Sequence, residues 1–168
     1  MNKIELLSRD HDREGFDCGA DALNSYLRNI ARQHIEKQIS KTFVLVDEHA
    51  VAPKPILGFY TVGLCEVVTG ELPPSFAKKY PPLIPAIRLG RLAIDLRQQG
   101  KRLGAALLFA AIKQYAQAAE SVGGVAIIVD AKDEKAAQFY LHFGFERFAT
   151  DPLKLFMPLG AVRQLLAV

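Results

Sequence analysis

The sequence predicts an α/β (α+β) protein: one mixed, mostly antiparallel sheet flanked by helices. Three observations predict it. Strand-like and helix-like segments interleave in the order β-α-β-β-β-α-β-α-β-β rather than falling into blocks. Two successive strands, Thr42 to Val46 and Ile56 to about Val67, are separated only by a short loop, which fits an antiparallel pair. The chain has 168 residues, the usual size of one hydrophobic core, so a single domain over residues 1–168 is expected.

The elements follow in order. Lys3 to Leu7 can form a short first strand. Phe16-Asp17-Cys18-Gly19 is a turn, and Asp21 stands where an N-cap belongs. Leu23, Leu27, Ile30, Ala31, His34 and Ile35 recur at three- and four-residue steps, which predicts an amphipathic helix. Thr42 to Val46 is β-branched and aromatic, hence a strand. Beyond Pro53 and Pro55 comes the second strand of the pair. Pro73, Pro74, Pro81, Pro82 and Pro85 predict an irregular connection from Leu72 to Pro85. Ile87 to Asp95 reads as strand, Leu103 to about Glu120 as a long Ala- and Leu-rich helix, and Val125 to Asp130 as a buried strand. Glu134 to His142 is a short helix ended by Gly144 as its C′ residue. Phe145 returns to strand, with Leu155-Phe156-Met157 as its partner after a turn near Pro152.

Composition excludes several classes. Half the residues are hydrophobic and 23% are charged, which is incompatible with a disordered or collagen-like chain. The longest apolar run, Ala105 to Ile112, is far short of the roughly 18 residues that a spanning helix needs. The first residues, Met1-Asn2-Lys3-Ile4-Glu5, meet charge at once and do not form a signal peptide. Cys18 and Cys65 provide neither a disulfide framework nor paired zinc spacing, so no metal is expected. A cytoplasmic protein with reduced thiols and no membrane partner is the expectation.

The formal net charge is +3, but it is uneven. Between Leu72 and Gly104 stand Lys78, Lys79, Arg88, Arg91, Arg97, Lys101 and Arg102, opposed only by Asp95. That segment is +6 and the remainder −3. Charge alone leaves two readings open, a solvated basic face or a surface that meets phosphates.

Two constellations carry chemistry. In the first, the strand ending Leu92-Ala93-Ile94 leads to a tight turn, Gln99-Gly100-Lys101-Arg102, and a helix starts at once with Leu103-Gly104-Ala105. Such a turn aims backbone N–H groups and the positive end of a helix at one point, where an anion can sit. It is neither a Gly-x-Gly-x-x-Gly fingerprint nor a Walker loop. In the second, Val129-Asp130-Ala131 precedes a short helix bearing Ala136-Ala137-Gln138-Phe139-Tyr140, and Gly144-Phe145 follows.

Together these segments resemble the GNAT acetyltransferase superfamily. Gln99-x-x-Arg102-x-Gly104 is similar to its pyrophosphate loop, with Arg102 where glycine is usual, and Tyr140 with Gly144-Phe145 is similar to its late helix-to-strand motif. Phe16-Asp-Cys-Gly19, Leu23-Asn24-Ser-Tyr26-Leu27, Gly58-Phe-Tyr-Thr61 and Leu89-Gly-Arg-Leu-Ala-Ile-Asp95 extend the resemblance to one subgroup. These are the type II toxin–antitoxin toxins that acetylate aminoacyl-tRNA.

The resemblance implies a GNAT-like fold and acetyl-CoA as co-substrate, held by Leu92, Ala93, Ile94, Gln99, Gly100, Lys101, Arg102, Leu103, Gly104 and Ala105. Main-chain N–H groups near Ala93 and Ile94 can serve the developing oxyanion. Tyr140 is implied as the proton donor to the leaving CoA thiolate, against the alternative of a core aromatic beside Phe139 and Phe143. A phenol near pKa 10 facing a thiolate near ~8.5 makes that transfer uphill by about 2 kcal/mol, so a hydrogen bond precedes full transfer. For the acceptor tRNA, the basic residues Lys78, Lys79, Arg88 and Arg91 are the candidates. The resemblance further implies a homodimer and a small DNA-binding antitoxin of the ribbon-helix-helix kind.

No general base stands out. His11, His34, His49 and His142 read as ordinary surface or edge residues, and Asp95, Asp130, Asp133 and Glu134 as loop and cap residues. Such a site suits an α-amine, near pKa ~7.7 and neutral in about one molecule in six at pH 7, better than a lysine, neutral in about one in 2,500. Two other readings stay open: a GNAT enzyme acting on a small amine or protein, and a non-catalytic module that binds CoA or nucleic acid.

Overall fold

A computed structural model describes residues 1–167, so the expected domain runs one residue past them. In chain order the elements are β1 (Asn2–Leu6), β2 (His11–Asp12), α1 (Asp21–Asn29), α2 (Ala31–Glu36), β3 (Lys41–Asp47), β4 (Lys54–Pro55) and β5 (Gly58–Val68). They continue with α3 (Pro74–Ala77), β6 (Leu83–Ile94), α4 (Leu103–Val122), β7 (Ala126–Asp130), α5 (Glu134–His142), β8 (Glu146–Arg147), β9 (Lys154–Pro158) and α6 (Leu159–Leu166). Seven strands form one sheet in the order β1-β3-β5-β6-β7-β9-β8, while β2 and β4 make a separate short ladder. In the sheet, β6 and β7 pair in parallel, and β1–β3, β3–β5, β7–β9 and β8–β9 are antiparallel. This is the mixed, mostly antiparallel sheet that the sequence predicts.

The chain divides into two compact units, Met1–Gly63 with Arg91–Ala111, and Leu64–Gly90 with Ile112–Val168. In the first, Phe16, Tyr26, Leu27, Val44 and Phe59 are buried together. The β3–β5 register places Thr42 opposite Thr61, and their buried hydroxyls share a 2.7 Å hydrogen bond. The single helix expected over 23–35 is two helices, because Ile30 leaves helical geometry at φ −122°. Asp21 is not the N-cap. Ala20 holds that position, and Asp21 places its charge in the first turn instead, where the helix dipole favours it.

In the second unit, Ala86, Ile128, Phe148 and Phe156 are buried together, with Phe76 and Tyr80 packed on them. The proline segment is more regular than expected. Pro74 opens α3, where a missing N–H costs nothing. β6 starts at Leu83 and contains Pro85, whose carbonyl accepts the Val125 N–H at 2.9 Å, so only the acceptor that proline retains is needed there. Helix α6 is an addition that the short apolar stretch near the C-terminus does not announce.

Candidate active site

The first unit holds the strand–turn–helix passage. Leu92, Ala93 and Ile94 end β6, and a single 3-10 turn, Leu96–Gln98, follows. Behind them Gly58 leaves no room for a side chain: a Cβ there would lie 2.7 Å from Ile94 Cδ1 and 3.0 Å from the Ala93 carbonyl oxygen. In the next turn Gly100 (φ +83°) and Arg102 (φ +61°) are both left-handed, and α4 begins at Leu103 as expected. The family-like loop has glycine where Arg102 stands, and Arg102 adopts the backbone that glycine reaches without strain. The substitution therefore keeps the loop's path and adds an exposed guanidinium. The first-turn N–H groups at Leu103, Gly104 and Ala105 have no intrahelical acceptor. Lys101, its Nζ 3.0 Å from Gln98 Oε1, supplies further positive charge. These features fit a pyrophosphate.

The loop is anchored at its base by Asp95, only 1% exposed. Asp95 Oδ1 accepts the Arg97 N–H and Nε–H at 2.9 Å each. Oδ2 accepts Arg97 Nη2–H at 2.9 Å and the Asp17 N–H at 3.1 Å. Hydrogen bonds from Arg97, above all, hold this carboxyl down to about 2. Asp17 in turn accepts from the Gly19 N–H and from Asn24 Nδ2, and Asn24 Oδ1 accepts the Cys18 N–H. Thus Phe16-Asp-Cys-Gly19, Asn24 and Asp95 form one clip. Sequence reading names each segment but not the clip, because Asp17 and Asp95 are 78 positions apart.

Arg91 belongs to this unit too, with its guanidinium carbon 3.5 Å from the centre of the Tyr26 ring. Its side chain is therefore already engaged in a cation–π contact. His11 is not a surface residue. It is buried, its Nδ1 accepts the Ser8 N–H at 3.0 Å, and its Nε2 lies 3.6 Å from Glu5. His34 is 3.1 Å from the Tyr26 hydroxyl.

The second unit holds Tyr140, Lys78, Lys79 and Arg88. Tyr140 lies on α5, whose N-cap Asp133 accepts the Ala136 N–H. Its ring is buried and meets Phe139 and Phe145 edge-on. Burial pushes its phenol up to about 12, with Asp130 adding in the same direction. Such a phenol donates a hydrogen bond and parts with its proton late. Lys78 and Lys79 are exposed just beyond α3. Arg88 lies 3.3 Å from Asp130. Of the four acids read as loop and cap residues, Asp95 and Asp133 do cap, and Glu134 pairs with Arg147. Asp130 ends β7 and caps nothing.

Among the described residues no cluster suits a metal ion, and no helix is long and apolar enough to cross a membrane.

A strand ending at a left-handed glycine turn, a helix opening on it and a buried tyrosine on a later helix describe an acyl-CoA-dependent acetyltransferase. Comparison with known proteins agrees. The acetyltransferase (GNAT) domain model matches residues 78–154. A tRNA-acetylating toxin of Mycobacterium tuberculosis is 36% identical over 95% of this chain and 93% of its own. Among solved structures, AtaT complexed with acetyl-methionyl-tRNAfMet is 32% identical, with a TM-score of 0.90 over 99% of both chains. A tyrosine-to-phenylalanine mutant of AtaT bound to acetyl-CoA and the C-terminus of the antitoxin AtaR is 30% identical, with a TM-score of 0.82 over 99% of both chains. The chain belongs to the GNAT acetyltransferases and is homologous to tRNA-acetylating toxins.

Proposed function

We propose that this enzyme is a toxin that transfers the acetyl group of acetyl-CoA to the α-amino group of aminoacyl-tRNA and so blocks translation. The observation that carries the reading is the strand–turn–helix cradle with its left-handed Gly100 and Arg102, set in a chain 36% identical to a tRNA-acetylating toxin. In it, Gln99 to Ala105 hold the pyrophosphate, and Leu92, Ala93 and Ile94 run beside the pantetheine arm. Acetyl-CoA supplies an activated acyl thioester. Tyr140 donates a hydrogen bond to the departing sulfur, and the tyrosine-to-phenylalanine mutants of AtaT and KacT among the similar solved structures support a role for such a residue. Lys78, Lys79, Arg88 and Arg91 face the tRNA backbone, Arg91 by exchanging its Tyr26 contact for phosphate. Residues 1–168 act as one N-acetyltransferase domain in a cytoplasmic homodimer, neutralised by a small DNA-binding antitoxin of the ribbon-helix-helix kind.

The test offers labelled acetyl-CoA to bulk aminoacyl-tRNA, total protein and a polyamine mixture in parallel. Label is expected in the tRNA fraction, released by mild alkali as N-acetylated amino acid. Transfer should fall steeply from low to moderate salt, as backbone contacts require. Label in protein or polyamine alone overturns the acceptor, and label in none overturns the activity.

A further inference from the structure

The face that carries Ala86, Ile128 and Phe156 turns charged along its length, with Arg88 level with Ile128 and Phe156, and Asp130 and Lys154 one step beyond. Two residues along from each of the three apolar residues, on the same side of β6, β7 and β9, stand Arg88, Asp130 and Lys154. β7 lies between β6 and β9, and Asp130 is directly opposite Lys154 in the antiparallel register. A lone carboxylate is thus flanked by two cations above an apolar floor. Cys65, packed against that floor, has its thiol pushed up by burial and also senses Arg88, Asp130 and Lys154.

The Arg88–Asp130 pair is incomplete. Arg88 Nε lies 3.3 Å from Asp130 Oδ2, yet the geometry is not that of a hydrogen bond, and this buried donor has no other partner. Both side chains remain over two-fifths exposed. A buried donor left without an acceptor is costly, and a half-made ion pair at a rim readily exchanges partners. Asp130 also exerts its charge on the phenol of Tyr140, the group proposed to meet the leaving sulfur.

An aminoacyl-tRNA end presents two complementary groups, a basic α-amine and an anionic phosphodiester. Resting on the function proposed above, we propose that Asp130 receives the acceptor's α-amino group, while Arg88, released from Asp130, takes the phosphate of the terminal nucleotide. Asp130 then reads whether the tRNA is charged, and Arg88 reads the nucleic acid whether charged or not.

The experiment compares Asp130→Asn and Arg88→Gln with the unaltered protein. It measures the KM for aminoacyl-tRNA and for acetyl-CoA, and the Kd for the same tRNA after deacylation. Asp130→Asn is expected to raise the aminoacyl-tRNA KM tenfold or more, leaving the acetyl-CoA KM and the deacylated-tRNA Kd within twofold. Arg88→Gln should weaken charged and deacylated tRNA alike. Equal losses for both tRNA forms in Asp130→Asn, or none, overturn the assignment. Asp130→Ser must repeat the pattern, which removes any effect peculiar to the amide. An unaltered protein that does not acetylate aminoacyl-tRNA overturns the proposed function itself, whereas an active one indifferent to Asp130→Asn overturns only this inference.

Discussion

Asp95 and Asp130 stand at the C-terminal ends of β6 and β7, each facing an arginine, and they have opposite surroundings. Asp95 is buried and accepts four hydrogen bonds, from Arg97 and the Asp17 main chain. Asp130 is two-fifths exposed, and its arginine approaches without completing a hydrogen bond. The first carboxylate has nothing left to offer a ligand and everything to lose if removed. The second loses little and has lone pairs to spare. An ion pair that shapes a loop is saturated, and the one proposed to meet a substrate is left open.

Removing each carboxylate should sharpen the contrast most. Asp95→Ala orphans the Asp17 N–H and unstitches the loop base, at about 3 kcal/mol. Asp130→Ala breaks an exposed pair and should cost less than about 1 kcal/mol. Urea unfolding of both variants checks this, and similar losses would erase the distinction. Acetyl-CoA affinity should fall with Asp95→Ala, since the clip fixes the cradle.

Tyr140→Phe comes next. The variant keeps the ring and its contacts with Phe139 and Phe145, so stability should change by less than about 1 kcal/mol. A hydrogen bond to the leaving sulfur predicts a kcat lower by about 10² or more at saturating acetyl-CoA, with acetyl-CoA affinity held. Unchanged turnover would make Tyr140 a core residue only.

What the sequence makes legible follows from range. The turn at Gln99–Arg102 and the helix start at Leu103 are local and stand where expected. The clip joins residues 78 positions apart, and no spacing rule connects them. Asp130 reads as a loop acid because a charge at a strand end looks the same in sequence whether it caps, pairs or waits for a ligand. His11 reads as a surface or edge residue because the burial of a two-residue strand depends on its partner β4 rather than on its own pattern. Helix α1–α2 reads as continuous because the apolar period runs through Ile30, where only the backbone angle changes.

Acid should separate the pairs more gently. The Asp95 carboxyl titrates at about 2 in the folded protein and near ~3.9 when unfolded. Its contribution is therefore complete above about pH 4 and lost as pH falls through about 2, amounting to about 2 kcal/mol. Glu5 and Asp17, also held low by hydrogen bonds, act with the same sign. Denaturant midpoints between pH 5 and 2 should fall, and Asp95→Asn should flatten part of that slope. A slope untouched by Asp95→Asn would show that the pair contributes nothing to folding.

The smallest effect concerns strain. Both units leave a buried side-chain nitrogen unsatisfied, His11 Nε2 in the first and Arg88 Nε in the second, and the first also carries a cost in the backbone, at Arg102 with φ +61°. A non-glycine residue there costs about 1 kcal/mol, and glycine returns part of that through the unfolded chain's extra freedom. Arg102→Gly should therefore raise stability by about 0.5 kcal/mol, while Arg102→Ala, which keeps the backbone demand, should not. Both remove the guanidinium and should weaken acetyl-CoA about threefold, the scale of one exposed charge contact. Paired melting curves and calorimetry decide it. If Arg102→Gly melts higher and binds acetyl-CoA as tightly as before, the arginine offers the cofactor nothing. If both variants bind more weakly and only the glycine melts higher, the loop has exchanged stability for a charge at the pyrophosphate.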